Sequence, residues 1–263
     1  NEYIETGWWI LKTLWDRGLL YQGYRVAPHC PRCVTTLSSH EVALGYKDDT
    51  PDPSIFVRFP LKPEQPNNGL VDSKVLAWDR QENIPSLLAW TTTPWTLTAN
   101  VALAVAPNEA YSLVRSPSEQ IHELLIIASE RVETVLGPGW EEVASFTGEQ
   151  LVGLSYEPPY HTADSSYMHQ VVTADYVSMD DGTGIVHTAP GHGADDFHTG
   201  IKYGLDIYTP VDSSGHFTST VELFGGTMVF DSNSNIEEAL ELKGHLWHRK
   251  VFEHAYPHCW RCH

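Results

Sequence analysis

Two imidazoles and two carboxylates fall within the ten residues from His187 to Asp196. The surrounding stretch, Asp180 to Phe197, reads DDGTGIVHTAPGHGADDF. A glycine turn (Gly182-Thr183-Gly184) leads into a short apolar run ending at His187. A second turn (Pro190-Gly191-His192-Gly193) then opens onto Asp195 and Asp196. Glycine permits positive φ and lets a ligand approach the backbone closely, so this grouping suggests a site. The plainer reading is a strand, a turn and a helix N-terminus, with the Asp pair serving only the first helical turn.

A second grouping lies upstream. Leu88 to Asn100 reads LAWTTTPWTLTAN, with Thr91, Thr92, Thr93, Thr96, Thr98 and Asn100 set around Pro94 and flanked by Trp90 and Trp95. Hydroxyls both donate and accept, so a cluster of them can hold a water and a polar substrate group without fixed charge. Threonine is also common in strands, and Pro94 could simply end one. Both readings stand at this point.

The four cysteines form two pairs, Cys30/Cys33 and Cys259/Cys262, each in the hexapeptide frame PHCxRC. Two thiolates from each of two tight knuckles make a tetrahedral structural zinc site. Disulfides and a redox pair are the alternatives, and adjacent pairs in a chain without a secretory leader favour metal. His29 and His258 are reserve ligands. Such a site would fasten both ends of the chain together and make everything between them an insertion leaving and returning through one neck.

The elements that must position these groups follow from pattern. Ile4, Trp8, Leu11, Leu14 and Trp15 recur at helical spacing and Gly18 supplies a helix stop. The acidic, proline-broken run Asp48 to Pro53 reads as a linker, which divides the chain into neck segments 1–50 and 245–263 and a central domain 51–244. Within the latter, short β-rich runs appear at Ser54–Pro60, Val75–Trp78, Leu87–Thr91, Val101–Val105, Tyr111–Arg115, Leu124–Ala128, Glu142–Phe146, Gln170–Thr173, Gly184–His187, Ile207–Val211 and Thr227–Phe230. Helices are expected at Ser129–Leu136, Ala194–Tyr203 and Asn235–Leu242. The expected fold is β-rich α/β (α+β): a closed, six-stranded-type β-barrel core decorated by helices, with a zinc-knuckle neck formed by both chain ends.

Composition sets outer limits. The 263 residues carry 16 Lys plus Arg against 34 Asp plus Glu, a net charge of −18, which argues against general nucleic-acid binding but not against contact with one nucleic-acid end. No apolar run is long enough to span a membrane. The chain begins without Met and ends on His263, and it reads as part of a longer, intracellular protein, cytoplasmic or in an organellar matrix or stroma.

The two groupings together resemble the paired signature motifs of the editing domain of isoleucyl-tRNA synthetases. Trp15 to Gly23 and Tyr256 to Arg261 are similar to the neck joining that domain to the class I synthetase core, so the resemblance spans essentially the whole chain. Leucyl enzymes typically have Arg after the second Thr, and valyl enzymes differ throughout this segment. One departure is Thr98, where proline is expected.

The resemblance implies a connective insertion built around a β-barrel that hydrolyses the ester of Val-tRNA(Ile). Its partners would be the valine-carrying acceptor end of tRNA(Ile) and the remainder of the synthetase chain. Structural zinc at Cys30, Cys33, Cys259 and Cys262, read above from the spacing, is kept, and no catalytic metal is expected. By motif position the resemblance makes Asp196, rather than Asp195, the anchor for the substrate ammonium. Thr92 and Thr93 would hold the attacking water, and Trp90, Thr91, Thr96, Asn100 and His187 would line the pocket. His192 and His198 read as loop or surface histidines. Two other functions compete: a metal-dependent hydrolase using His187, His192, Asp195, Asp196 and His198, or a module that binds the tRNA 3′ end without turnover. With no phosphate-binding glycine loop or adenylate-forming signature, the chain alone is not expected to activate amino acids.

Overall fold

The computed structural model describes residues 1–63, 84–118, 120, 122–160, 169–221 and 223–262. The chain opens with helix α1 (Glu2–Asp16), stopped by Gly18 at φ +68 as its spacing predicts. None of its residues is buried: Trp8, Trp9 and Trp15 are all more than half exposed. A two-stranded turn follows, β1 (His29–Cys30) with β2 (Thr35–Thr36), and then the short helix α2 (Ser39–Ala43). Ser38 and Glu41 form a reciprocal capping box at its start, satisfying two otherwise orphaned N–H groups.

The segment from Asp48 to Pro53 forms no break. It lies inside strand β3 (Tyr46–Pro60), which runs antiparallel to the late strand β11 (Leu246–Pro257) from Tyr46↔Pro257 to Val57↔Leu246. Up to Ser54 this strand has β11 as its only partner among the described strands, so Pro51 and Pro53 lie in a two-stranded ribbon, where a missing N–H is tolerated. Strand β11 carries no alternating apolar signal of the kind sequence reading depends on.

From Ile55 onward β3 also pairs with β4 (Ser86–Thr91). The remaining sheet strands are β5 (Ala102–Val105), β6 (Ala110–Arg115), β7 (Leu124–Ala128) and β8 (Glu141–Thr147). A single helical turn, α3 (Gly148–Leu151), precedes β9 (Gln170–Thr173) and β10 (Ile185–Thr188). Helices α4 (Ala194–Tyr203) and α5 (Asn233–Leu242) complete the set.

The strand order is β8-β6-β7-β4-β10-β5-β9, with β3 and β11 attached through β4. Among the described strands no pairing joins β8 to β9. The expected closed barrel is therefore met by a curled, partly barrel-like mixed sheet. The main core lies on its inner face, where Leu87, Leu103, Leu113, Ile126 and Tyr156 pack with Ile236 and Leu240 of α5. Leu88, Ile127 and Phe56 belong to a separate cluster on the other face.

Most of the expected short strands are present within a residue or two, but Ser129–Leu136 is a 3-10 turn followed by one π turn. Ile207–Val211 and Thr227–Phe230 contribute only the isolated bridges Val211↔Phe217 and His216↔Met228, and a 3-10 turn begins at Val229. The run Val75–Trp78 lies outside the described residues. Among the described residues no helix is long and apolar enough to cross a membrane.

Candidate functional site

One pairing joins the two motifs. Strands β4 and β10 are parallel neighbours, in register at Trp90 and Val186. The chain therefore leaves both at the same end of the sheet: Thr91–Thr93 from β4, and His187–Thr188 with the following turn from β10. The end where parallel strands terminate is where open α/β sheets place their ligands. Pleating then sorts the side chains. Val186 and Trp90 face away from the main core, and Trp90 meets Phe56 at a ring separation of 6.5 Å. Ile185, Ala89, and with them His187 and Thr91, share the inner face. Trp90 and His187 are thus on opposite faces and are not brought together. Trp90 instead closes over the glycine turn, where a Cβ on Gly182 would lie 2.9 Å from its ring.

Beyond Thr93 the chain winds into a 3-10 helix, Pro94–Ala99, with proline at its first position, where no N–H is needed. The Thr91 hydroxyl accepts from the Thr93 backbone N–H at 3.0 Å and tightens the turn into it. Thr98 donates to Trp95 O at 2.9 Å within the helix. Thr92 and Thr93 are half-buried, and no hydrogen bond to another described residue is made by either hydroxyl.

His187 is only 7% exposed. Asn100 Nδ2 donates both to Ala102 O at 3.0 Å and to His187 Nδ1 at 2.9 Å, while Asn100 Oδ1 accepts from Tyr156 at 2.7 Å. The Ala102 carbonyl can only accept, so the amide orientation is fixed. His187 Nδ1 must then be the acceptor, and Nε2 carries the proton toward Thr96 Oγ1 at 3.1 Å. Thr96 passes its own proton to Thr93 O at 2.8 Å. Burial, reinforced by His192, lowers the pKa of His187 from 6.5 to about 3. With both nitrogens committed, this imidazole is neutral and has no free lone pair for a proton or a metal. Thr96 and Asn100 are likewise buried, their polar atoms spent on this network.

Asp196 sits in the first turn of α4 but does not cap it. Its Oδ2 accepts from Ala189 N at 2.9 Å and its Oδ1 from the Tyr176 hydroxyl at 3.2 Å. Gly193 makes this possible, because a Cβ there would stand 2.8 Å from the carboxyl group. Burial raises the pKa of Asp196, against the lowering effect of these two donors, and Asp195 adds to the rise. Tyr176 is itself pushed up to about 12, chiefly by burial and then by the Asp196 charge, so it stays a donor. Among the described residues Asp196 forms no ion pair. It is a half-buried carboxylate lacking a cation.

Asp195 and His198 are exposed. His192 is not the surface residue its loop position suggests. Its ring stands edge-on to Trp95 with centroids 4.9 Å apart, and burial lowers its pKa to about 4. The contact ties the Gly-rich turn to the 3-10 helix. Sequence reading missed Tyr156 and Tyr176, since an isolated tyrosine in a β-rich segment carries no signal of what its hydroxyl will meet.

The β3/β11 ribbon brings the two cysteine pairs together. All four sulfurs lie within 4.8 Å of one another, and Cys30 Sγ is 3.5 Å from Cys262 Sγ. A tetrahedral zinc with bonds of about 2.3 Å separates its sulfurs by roughly 3.8 Å, so the set fits a metal ion. The Cys33 N–H points to Cys30 Sγ at 3.4 Å, and backbone donors led by that of Arg261 pull Cys259 down to about 7. All four thiols are free of disulfides. His29 and His258 turn to backbone carbonyls, those of Ser213 and Tyr256. Glu41 accepts from Trp260 Nε1 at 2.9 Å and pairs with Arg261 at 2.7 Å, fastening the last residues to α2. Among the described residues the cysteines are the only group of three or more His, Cys, Asp or Glu ligands that converges in this way; His187, His192, Asp195, Asp196 and His198 do not.

Residues 1–248 match the family described as tRNA synthetases class I (I, L, M and V). The isoleucine–tRNA ligase of Clostridium novyi is 46% identical over 264 residues, covering all of this chain and 23% of its own length. That of Dehalococcoides mccartyi is 42% identical over 280 residues, again over the whole chain and 27% of its own. The chain thus spans about a quarter of the length of the curated relatives it matches. In structure it is similar to GlLeuRS-CP1, with TM-score 0.58 at 16% identity over 75% of this chain and 99% of that one. The cytosolic leucyl-tRNA synthetase editing domain of P. falciparum gives 0.54 at 12% identity over 74% and 98%. At such identities these two likenesses concern the fold alone. With nearly its full length inside the family match, and both motifs folded to one end of a shared sheet, the chain belongs to the class I tRNA synthetases of the isoleucine, leucine, methionine and valine group.

Proposed function

We propose that this chain is the editing segment of an isoleucyl-tRNA synthetase and hydrolyses the ester of Val-tRNA(Ile). The observation that carries the reading is Asp196: a half-buried carboxylate with no cation among the described residues, held by two donors, in the helix that follows β10, the parallel neighbour of the strand that leads into Thr92 and Thr93. A desolvated anion of this kind is suited to the α-ammonium of an esterified amino acid. It would tell a charged tRNA end from an uncharged one. For isoleucyl enzymes, the case from which the general figure is drawn, an apolar pocket separates Ile from Val by only about 150-fold, so a second, smaller sieve is needed.

In this reading Thr92 and Thr93 present hydroxyls to the attacking water, and Thr91 braces their turn. Water adds to the ester carbonyl, the bond to the ribose oxygen breaks, the ribose hydroxyl regains a proton, and valine leaves as its carboxylate. His187 is unsuited to act as the base, because its two nitrogens are engaged and its pKa is about 3. Catalysis then rests on positioning and electrostatic stabilisation, aided by the neighbouring free ribose hydroxyl. Thr96, Asn100 and His187 support the threonine segment from below, and His187 with the threonine methyls limits the room for an extra methylene.

The cysteine cluster is proposed to hold a structural zinc ion that locks the neck, with 51–244 as the editing unit between segments 1–50 and 245–263. The exposed apolar face of α1 and the length of the relatives support the rest of the synthetase as partner, in a cytoplasmic or organellar setting. The test is deacylation of Val-tRNA(Ile) and Ile-tRNA(Ile) by this chain, with and without chelator. Selective loss of valine that survives chelation supports the reading. Binding without turnover leaves a recognition module, and chelator-sensitive cleavage with the fold intact moves the chemistry to a metal.

A further inference from the structure

The hydrogen bonds beneath the threonine segment run in one direction. Tyr156 donates to Asn100, Asn100 to His187, His187 to Thr96, and Thr96 to the carbonyl of Thr93, at 2.7, 2.9, 3.1 and 2.8 Å. A neutral imidazole can protonate either nitrogen, and the Nδ1–H form would break the chain by setting two donors, Asn100 Nδ2 and Nδ1–H, against each other. Asn100 presents its amide nitrogen to His187 because the amide is held from two sides, Nδ2 by the Ala102 carbonyl at 3.0 Å and Oδ1 by a second partner. That partner is the Tyr156 hydroxyl, contributed by a segment outside both motifs.

We propose that Tyr156 is a positioning residue for ester hydrolysis: together with the Ala102 carbonyl it holds the Asn100 amide in the orientation that places the His187 proton on Nε2, and so holds the Thr93 backbone, and with it the Thr92 and Thr93 hydroxyls, in one orientation. The inference rests on the editing function proposed above. Three features support it. Tyr156 is fully buried, and its ring is already seated edge-on to Phe59 at 5.3 Å, so the hydroxyl has little freedom to find another partner. Its pKa lies well above the ordinary value through burial, so it remains a donor. The network also grips the 3-10 helix at both ends, since Thr96 lies in its first turn and Asn100 directly follows it.

The test uses Tyr156→Phe, which keeps the ring and its packing on Phe59. The chain is labelled with 15N in its histidines, and the protonation of each His187 nitrogen is read by NMR in wild type and variant. Single-turnover deacylation of Val-tRNA(Ile) is measured in parallel over a range of enzyme concentrations. Wild type is expected to carry its His187 proton on Nε2 and the variant a mixture of both forms. The saturating rate should fall roughly ten- to a hundredfold, as for a small displacement of a positioning group, with the half-saturating concentration unchanged. A residue that only fills the core would move neither the tautomer nor that split.

Wild-type His187 protonated on Nδ1 overturns the proposal whatever the variant does. So does an unchanged tautomer in the variant, or a changed tautomer with an unchanged rate. The NMR comparison needs no substrate. A wild-type chain that hydrolyses no ester would therefore refute the editing function and the catalytic half of this inference, while placement of the proton is still decided on its own.

Discussion

Replacing Asp196 with Asn separates charge from shape at the proposed anchor. The amide is nearly isosteric: its oxygen can still accept from Ala189 N, and its NH2 can donate to the Tyr176 oxygen in place of the present bond. What disappears is the negative charge. Truncating one partner of a desolvated charge pair costs about 2–5 kcal/mol, and a half-buried carboxylate belongs in the lower part of that range. A loss of about 2–3 kcal/mol corresponds to roughly thirty- to a hundred-and-fifty-fold in kcat/KM for Val-tRNA(Ile).

Stability should move the other way. Burial raises the pKa of Asp196, so the folded state holds that proton more tightly than the unfolded chain does. The associated stability is complete below the unfolded pKa and is lost as pH rises through the folded value. At neutral pH the ionised group therefore opposes folding, and Asp196→Asn should melt at the same temperature as wild type or higher. The assay pairs single-turnover deacylation with thermal melts at neutral and mildly acidic pH. A variant that deacylates at the wild-type rate refutes the anchor. One that keeps folding only with a large drop in melting temperature shows Asp196 to be a structural cap.

Three further outcomes are expected. Gly193→Ala places a methyl 2.8 Å from the Asp196 carboxyl at a backbone φ of −107 that any residue adopts; deacylation should fall at least tenfold while stability changes by less than about 1 kcal/mol, as measured by rates beside denaturant melts. His187 has a lowered pKa, so its contribution to stability is present above its ordinary 6.5 and is lost as pH falls toward about 3; unfolding free energy measured across that window should decline on acidification, and less so in His187→Gln. Cys259→Ser should take the zinc content, measured by elemental analysis, from one ion per chain to well below one, and lower the melting temperature without abolishing deacylation by the molecules that remain folded.

Much of this molecule was legible in its residues. The sheet strands are short runs whose β-rich composition declares them, and α4 is bounded by Gly193 and Gly204 in the positions such residues favour. The two PHCxRC frames announced a four-sulfur cluster because thiolate spacing within a knuckle is a local property. The paired motifs singled out Asp196, His187 and the threonines as candidates, whose roles are those proposed above. Long-range pairing decided the rest. Strand β11 is defined by its partner β3 rather than by its own pattern, and that pairing turned an apparent proline linker into a continuous ribbon. The face on which a side chain lies follows from register, and so only the β4–β10 pairing could separate Trp90 from His187. Above all, sequence could name His187 but not its protonation. That follows from Asn100, whose amide is held by Ala102 O and Tyr156; all three are remote from His187 in sequence and come together only because the fold buries them, where each unsatisfied donor or acceptor would be costly.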